Sequence, residues 1–332
     1  MAFLEYIVQS KVTKMIKNKI LLFSGILALS LTTIGCKKDK IEQVEQSKTK
    51  GIEKPLHTYG TLKITADPSY KNLINALTSM YKVNYPEVKF QYDYKIEELA
   101  IKDLYEGKTN FAIVSKPLTK DQETYLFNKT KILFKSSPIG MDATIFITSI
   151  NNPKESISLN EIKENVYKVD APLRLIFDYP NSANFNTLNE KLNIEAPKGQ
   201  AIQALKSAEN VIDFVQKDEH AVGVIGLNTL SDTDNPKVKE HLKHVKILKV
   251  VDAKGVAYEP SNPNLRNGNY PFYRLIYFLK NEKGFGLAAG FTRFAGSQQG
   301  QLIVLKENIQ PYYLYKREVI INSNQLNTTE VN

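Results

Sequence analysis

The chain has 332 residues, 42% of them hydrophobic and 24% charged, a length that buries a large core and favours two domains or one large one. A single cysteine excludes an internal disulfide framework, a Cys-based zinc cluster and a CxxC redox pair, and of four histidines only His241 and His244 lie close together, so neither metal nor cofactor is expected. The net charge of +9 comes from 44 cations of which only five are Arg (Arg174, Arg266, Arg274, Arg293, Arg317), scattered where nucleic-acid readers would concentrate the planar Arg fork, so no nucleic-acid partner is expected.

From Lys17 the chain reads Lys-Asn-Lys, then an apolar run from Ile20 to Leu31, then Thr32-Thr33-Ile34-Gly35-Cys36. A basic stretch, a short apolar run and a small residue form a secretory leader. Twelve apolar residues rise only about 18 Å as a helix, short of the roughly 30 Å hydrocarbon core, which disfavours a spanning helix. The only cysteine follows Gly35 directly, and the segment resembles the lipobox of bacterial lipoproteins, although Thr33 departs from the usual Leu. That resemblance implies cleavage before Cys36, lipid attachment to its thiol, and a membrane-anchored protein of the bacterial envelope or periplasm. Met15-Ile16-Lys17 opens such a leader better than Met1. Residues 36 to 57 are charged and poor in large apolar side chains, the composition of a disordered tether.

From Gly60 onward short apolar runs alternate with helical patterns. Thr61 to Ala66 predicts a strand; Ser69 to Val83 sets Leu73, Ile74, Leu77, Met80 and Tyr81 on one helical face; Val88 to Tyr94 alternates as a second strand. A helix follows from Ile96 to Glu106 with Gly107 at its end, then a buried strand over Phe111 to Val114. Thr119-Lys120-Asp121-Gln122 and Ser158-Leu159-Asn160-Glu161 are capping boxes that open helices. Strands are predicted at Ile132 to Phe134, Ala143 to Ile147, Leu173 to Phe177, Ala221 to Ile225, Val245 to Val251 and Tyr273 to Leu279. Helices are predicted near Ser182 to Leu192, Ala208 to Lys217, Leu287 to Ala295 and Gln298 to Asn308. Repeated βαβ units imply an α/β fold with largely parallel, helix-covered sheets, most simply in two lobes. Gly284 to Gly290 approaches a dinucleotide fingerprint, but its last glycine is one residue late and no early βαβ unit hosts it. No phosphate-cradling Gly-Lys-Ser/Thr, HExxH or GxSxG occurs.

In parallel α/β sheets ligands bind beyond the carboxyl ends of strands, where helix N-termini offer free N–H groups and a favourable dipole to anions. Three strand exits carry suitable donors: Asp67-Pro68-Ser69-Tyr70, Ser115-Lys116-Pro117-Leu118-Thr119, and Asp178-Tyr179-Pro180-Asn181-Ser182-Ala183-Asn184. Each reads equally as ordinary helix capping; their common position in three βα units points to a shared small-anion cleft.

The order of segments over about residues 60 to 318 resembles the PstS-type substrate-binding lipoproteins of phosphate ABC transporters, in the periplasmic-binding-protein superfamily. The matching pieces are Leu118-Thr119 after Ser115-Lys116, Ile139-Gly140-Met141-Asp142-Ala143, Ile150-Asn151-Asn152-Pro153, Leu159-Asn160-Glu161-Ile162, Ala221 to Leu227, Gly268 to Arg274, Gly296 to Gln301, and Gln310-Pro311. The resemblance implies a type II binding-protein fold: two hinge-linked lobes, each a mostly parallel sheet flanked by helices, closing on an anion. One lobe would combine 58–146 with 225–320, the other would be 147–224, and 321–332 would be a tail. It also implies a ligand set of Ser69, Tyr70, Ser115, Lys116, Asp142, Asn181, Ser182, Ala183 and Asn184. The family often has Ser-Arg where this chain has Ser115-Lys116, and a Ser/Gly/Thr-rich run with a nearby Arg in place of Asn181 to Asn186. Arg clamps oxyanions bidentately and Lys only as a point charge, so selectivity for phosphate is the weakest part of the transfer. Asp142 reads either as a proton acceptor for the anion or as a cap for the turn before Ala143, and the second is preferred; Tyr270 and Arg274 read as a pair near the cleft or as a packed strand start.

The leading expectation is therefore a lipid-anchored, monomeric, non-enzymatic binding protein that hands phosphate or a similar oxyanion to an ABC permease. An interaction protein or sensor with altered or lost ligand binding is the alternative. An envelope phosphatase is less favoured, because the chain shows no nucleophile beside a base and no metal cluster.

Overall fold

The computed structural model describes residues 54–168, 171–194 and 202–315. Cys36, the leader, nearly all of the tether and the 321–332 tail lie outside the described residues. The tether was expected to run to His57, but Leu56–Thr58 already form a 3-10 turn, and the His57 carbonyl accepts from Tyr81 Oη at 2.9 Å.

Alternating apolar positions make Tyr59–Ala66 (β1) bury Leu62, Ile64 and Ala66, and it pairs in parallel with Glu87–Tyr94 (β2) along its whole length. The crossover between them is Lys71–Asn84 (α1), whose buried Leu73, Ile74, Leu77 and Tyr81 recur at helical spacing. Glu97–Glu106 (α2) stops at Gly107, where φ is +75° and a side chain would be strained. Phe111–Val114 (β3), buried at all four positions, joins β1 in parallel. Lys120–Thr130 (α3) starts at the Thr119 capping box, with Gln122 N donating to Thr119 Oγ1 at 3.3 Å and Thr119 N donating to Gln122 Oε1 at 2.9 Å.

Ser137–Ser149 (β4) is the longest strand. After it come Ser156–Ser158 (β5), Leu159–Tyr167 (α4, opened by the Ser158 capping box), Arg174–Phe177 (β6), Ala183–Leu192 (α5), Ile202–Ala204 (β7), Ala208–Val215 (α6) and Ala221–Gly226 (β8). The remainder is Pro236–His241 (α7), Val245–Ile247 (β9), Lys249–Val251 (β10), Ala257–Tyr258 (β11), Asn262–Arg266 (α8), Tyr273–Lys280 (β12), Leu287–Gly296 (α9), Gln298–Lys306 (α10) and Gln310–Pro311 (β13).

The main sheet has the order β2-β1-β3-β12-β4-β8-β6-β7, with β13 and β9 also on β4. Its flanks are parallel, as predicted: β2, β1 and β3 on one side, β8, β6 and β7 on the other. Its centre is not: β12 is antiparallel to both β3 and β4, and β4 is antiparallel to β8. β4 causes this. Residues up to Ala143 pair with β12, and residues from Thr144 onward pair with β8 and β9, so one strand threads both halves of a curled sheet. The architecture is thus a mixed α/β fold in which the parallel units are the wings and antiparallel strands make the crossing.

Two strand predictions change. Ile132 to Phe134 forms no strand: Phe134 is buried, but Leu133 is 84% exposed and no neighbouring strand is there to pair. Val245 to Val251 is two strands in different sheets, because at Leu248 the chain leaves β4 for β5 and β11. The buried side chains fall into two main clusters, one of which runs across residue 225. Leu227, Leu230, Val245, Leu248, Val250, Leu265, Tyr270 and Phe272 share one buried cluster with Ile145, Phe146, Ile176 and Val222. Leu62, Leu73, Phe111, Ile276, Phe278, Phe291 and Val304 form the other main cluster. The cluster around Ile145, Phe146, Ile176 and Val222 is the second core in chain order, and at about 1.5–3 kcal/mol for each buried aliphatic or aromatic side chain these contacts hold residues 227–272 to it.

Candidate functional site

The exits of β1, β3 and β6 come together, and they do so around carboxylates. Asp67, at the end of β1, accepts from Ser69 N at 2.9 Å, from Ala183 N in the first turn of α5 at 3.2 Å, and from the hydroxyl of Tyr179. Glu97, in the first turn of α2, accepts from Ser115 Oγ at 2.8 Å and from Ser115 N. Asp178 accepts from Asn184 Nδ2 at 2.8 Å, and the same amide donates to Ser69 Oγ at 3.2 Å. Thr144 Oγ1 donates to Asn184 Oδ1 at 3.1 Å, which fixes that amide's orientation.

Arg274 is the cation of this group. In the β4–β12 ladder it lies directly opposite Asp142, so the two side chains share a face, and Nε and Nη2 donate to Asp142 Oδ2 at 3.2 and 2.7 Å. Both residues are buried. The guanidinium sits over the Tyr70 ring, 5.2 Å from its centroid, a cation–π contact. Arg274 Nη1 and Tyr70 Oη are buried without a hydrogen-bond partner, a costly condition away from water. Gly226 leaves room for this arrangement: a Cβ there would lie 3.1 Å from Arg274 Nη2 and 3.2 Å from Ser69 Cβ.

Of the four buried carboxyl groups gathered here, Asp142 alone bonds the guanidinium, while Asp67, Glu97 and Asp178 are held by backbone, hydroxyl and amide donors of the strand exits. Burial, with Asp67 nearby, pushes Glu97 up to about 7, and the same two causes push Asp178 up to about 7. Burial also raises the Tyr179 hydroxyl far above its ordinary range, so it stays protonated and can donate to Asp67. Among the described residues no group of three or more His, Cys, Asp or Glu is placed to hold a metal ion.

Two small cavities flank the group. One, of about 180 Å³, is lined by Ser115, Lys116, Lys191, Tyr273 and Arg274; the other, of about 130 Å³, by Ser69, Lys71, Asp178, Tyr179 and Lys206. A larger hollow of about 900 Å³ beside α6, lined by Leu205, Phe214 and Lys217, does not reach the Ser115 or Arg274 donors.

Of the nine residues expected here, Ser69, Tyr70, Ser115, Asp142, Ser182, Ala183 and Asn184 are buried at the meeting of the strand exits. Lys116 and Asn181 are exposed: Lys116 pairs with Glu190 at 2.7 Å, and Asn181 turns the chain with φ +55°. Ser182 caps α5 by accepting from Phe185 N, so its hydroxyl oxygen serves the helix. Asp142 caps no turn, since β4 runs straight through it; it holds Arg274 and accepts from Asn228 N at 3.3 Å. Tyr270 does not pair with Arg274 and donates instead to the Thr144 carbonyl at 3.1 Å. Asp67, Asp178 and Tyr179 stood inside the segments singled out from the sequence but were not assigned roles. Glu97 carried no signal beyond that of an acidic residue opening a helix.

A family model described as a PBP superfamily domain matches residues 53–299. The chain belongs to the PBP superfamily. Among curated proteins it is 27% identical over 201 residues to the phosphate-binding protein PstS of Staphylococcus saprophyticus, covering 57% of this chain and 60% of that one. It is 24% identical over 217 residues to protein SphX of Synechococcus elongatus, covering 59% and 61%. The chain therefore spans about 60% of the length of these curated relatives. Among solved structures, a substrate-binding protein assigned to phosphate ABC transport in Clostridium perfringens, crystallised with bound phosphate, aligns with TM-score 0.62 at 21% identity, over 76% of this chain and all of that one. A phosphate transport receptor from Vibrio cholerae aligns with TM-score 0.56 at 14% identity, over 75% and 99%. These structural likenesses establish the two-lobed binding-protein fold for this PBP-superfamily chain.

Proposed function

We propose that this chain is the solute-binding component of an ABC importer and takes phosphate or a similar small oxyanion between its two lobes. The observation that carries this reading is the buried Arg274 guanidinium with a spare N–H, beside the unpartnered Tyr70 hydroxyl, where donors from three strand exits meet. A guanidinium held by a carboxylate on one edge keeps its other edge in fixed orientation for an oxyanion. The name of the PstS relative supports phosphate as the ligand class, and the likeness to a substrate-binding protein assigned to phosphate ABC transport motivates a permease as partner. In this reading the first lobe carries Ser69, Tyr70 and Ser115, the second spans about 144–272 and carries Ala183 and Asn184, and β4 and β12 form the hinge. Lipid attachment at Cys36 would hold a monomer on the outer side of a bacterial membrane; among the described residues no helix is long and apolar enough to cross one.

The excess of carboxylates over cations in the same place favours one other reading, a binding-fold lipoprotein with altered or lost specificity that acts as a sensor or interaction protein. Titration calorimetry of residues 54–315 with phosphate, arsenate and sulfate separates the two. Saturable heat with phosphate, abolished by Arg274→Ala, is expected; no heat from any of the three anions rejects the oxyanion reading.

A further inference from the structure

Three donors of the first and third strand exits, Ser69 N, Ala183 N and Tyr179 Oη, already have an anion in contact, and that anion belongs to the protein. Asp67 reaches from the end of β1 to Ala183 N and Tyr179 Oη beyond β6, while also accepting from Ser69 N on its own side. Those partners are separated from it in sequence by 116, 112 and 2 residues, so this one carboxylate ties the loop of one wing of the sheet to the first turn of α5 on the other. Its three donors are of the kind an oxyanion uses: two backbone N–H groups, one of them at a helix N-terminus, and a phenol. Asn184 Nδ2 crosses the same gap to Ser69 Oγ, and Asn186 Nδ2 crosses nearby to Glu98 Oε1 at 2.8 Å.

We propose that Asp67 is a resident anion, a built-in competitor that holds the two lobes together through the donors an incoming oxyanion needs. The inference rests on the oxyanion reading above and adds its regulation. Phosphate would gain the Ser69, Ala183 and Tyr179 donors only by displacing the Asp67 carboxylate, so its apparent affinity is lowered by the factor with which the tethered arrangement outweighs the released one. Charge-assisted bonds of this type are about twice as strong as neutral ones, which makes the charge on Asp67 the element to remove.

Asp67→Asn is the decisive variant. Asn is as good a helix cap as Asp and matches its size, so the turn at Pro68–Tyr70 is retained. Asp67→Ala removes the side chain altogether, with circular dichroism reporting whether it folds. Phosphate affinity is measured by calorimetry at one fixed pH, and small-angle scattering without added phosphate reports lobe separation. The expected result is phosphate binding at least tenfold tighter in Asp67→Asn than in the unaltered protein, with a larger radius of gyration before phosphate is added. Equal or weaker binding by Asp67→Asn, where the unaltered protein binds phosphate, overturns the proposal and leaves the oxyanion reading standing. If neither protein binds any anion, the oxyanion reading fails, and scattering decides the tether: a larger radius in Asp67→Asn supports it, and an unchanged radius overturns it.

Discussion

Arg274 and Asp142 are a buried ion pair whose partners are worth little separately and much together. Removing one leaves the other charged and desolvated, at a cost of about 3–5 kcal/mol, whereas removing both sheds the desolvation penalty as well. Arg274→Ala is therefore expected to lower stability by roughly that amount in urea denaturation, and the Asp142→Ala/Arg274→Ala double variant to recover part of the loss. An additive double variant would show that the pair is not coupled. The pair also shows why single residues were hard to interpret from the sequence. The sequence favours Asp142 as a cap for the turn before Ala143, yet the β4–β12 register sets it directly opposite a residue 132 positions away. A slip of one residue in that register would turn Arg274 to the other face of the sheet.

The helix starts marked by the two capping boxes, by contrast, were legible to the residue, because such a cap joins groups three positions apart. Both capping boxes form as predicted, with the Ser158 pair bonded at 3.1 and 2.9 Å. Thr119→Ala and Ser158→Ala should each cost about 1 kcal/mol, read as a lower urea midpoint with unchanged slope. Ser158 should cost the more of the two, since it also joins β5 to α4 beside the second core. Strands were less legible than helices. Phe111 to Val114 succeeded because four buried apolar residues in a row demand a covered sheet. Ile132 to Phe134 failed because an apolar run becomes a strand only where another strand offers it a ladder.

At the scale of the whole molecule, Glu97 and Asp178 tie stability to pH. Burial holds each near 7 in the folded protein against ordinary values of 4.5 and 3.8, so between those limits the folded protein binds more protons than the unfolded chain. Stability from these two groups is therefore present at mildly acid pH and is lost as pH rises toward and beyond 7, by at most about 1.4 kcal/mol per pH unit for each. Asp93 works in the opposite sense: hydrogen bonds from Lys63 and Lys95 hold it below 3.8, so its contribution is present above that value and lost in stronger acid. Calorimetric melting should thus peak in mild acid and fall between about pH 5 and pH 8, with Glu97→Gln and Asp178→Asn each flattening the fall. A melting temperature that rises steadily from pH 5 to pH 8 would contradict the burial of these carboxyls.

The sequence by itself determined the alternation of strands and helices, the helix caps, the three donor-bearing strand exits and the likeness to the PstS-type binding proteins. All of these rest on spacings of two to four residues or on the order of segments along the chain, which no distant contact can alter. Only the tertiary structure decided that β4 crosses both halves of the sheet, that residues 227–272 pack with the second core, and that carboxylates rather than lysines face the strand exits. Those outcomes depend on long-range register and on which buried groups find partners, and side chains more than a hundred residues apart share no local pattern that could announce them.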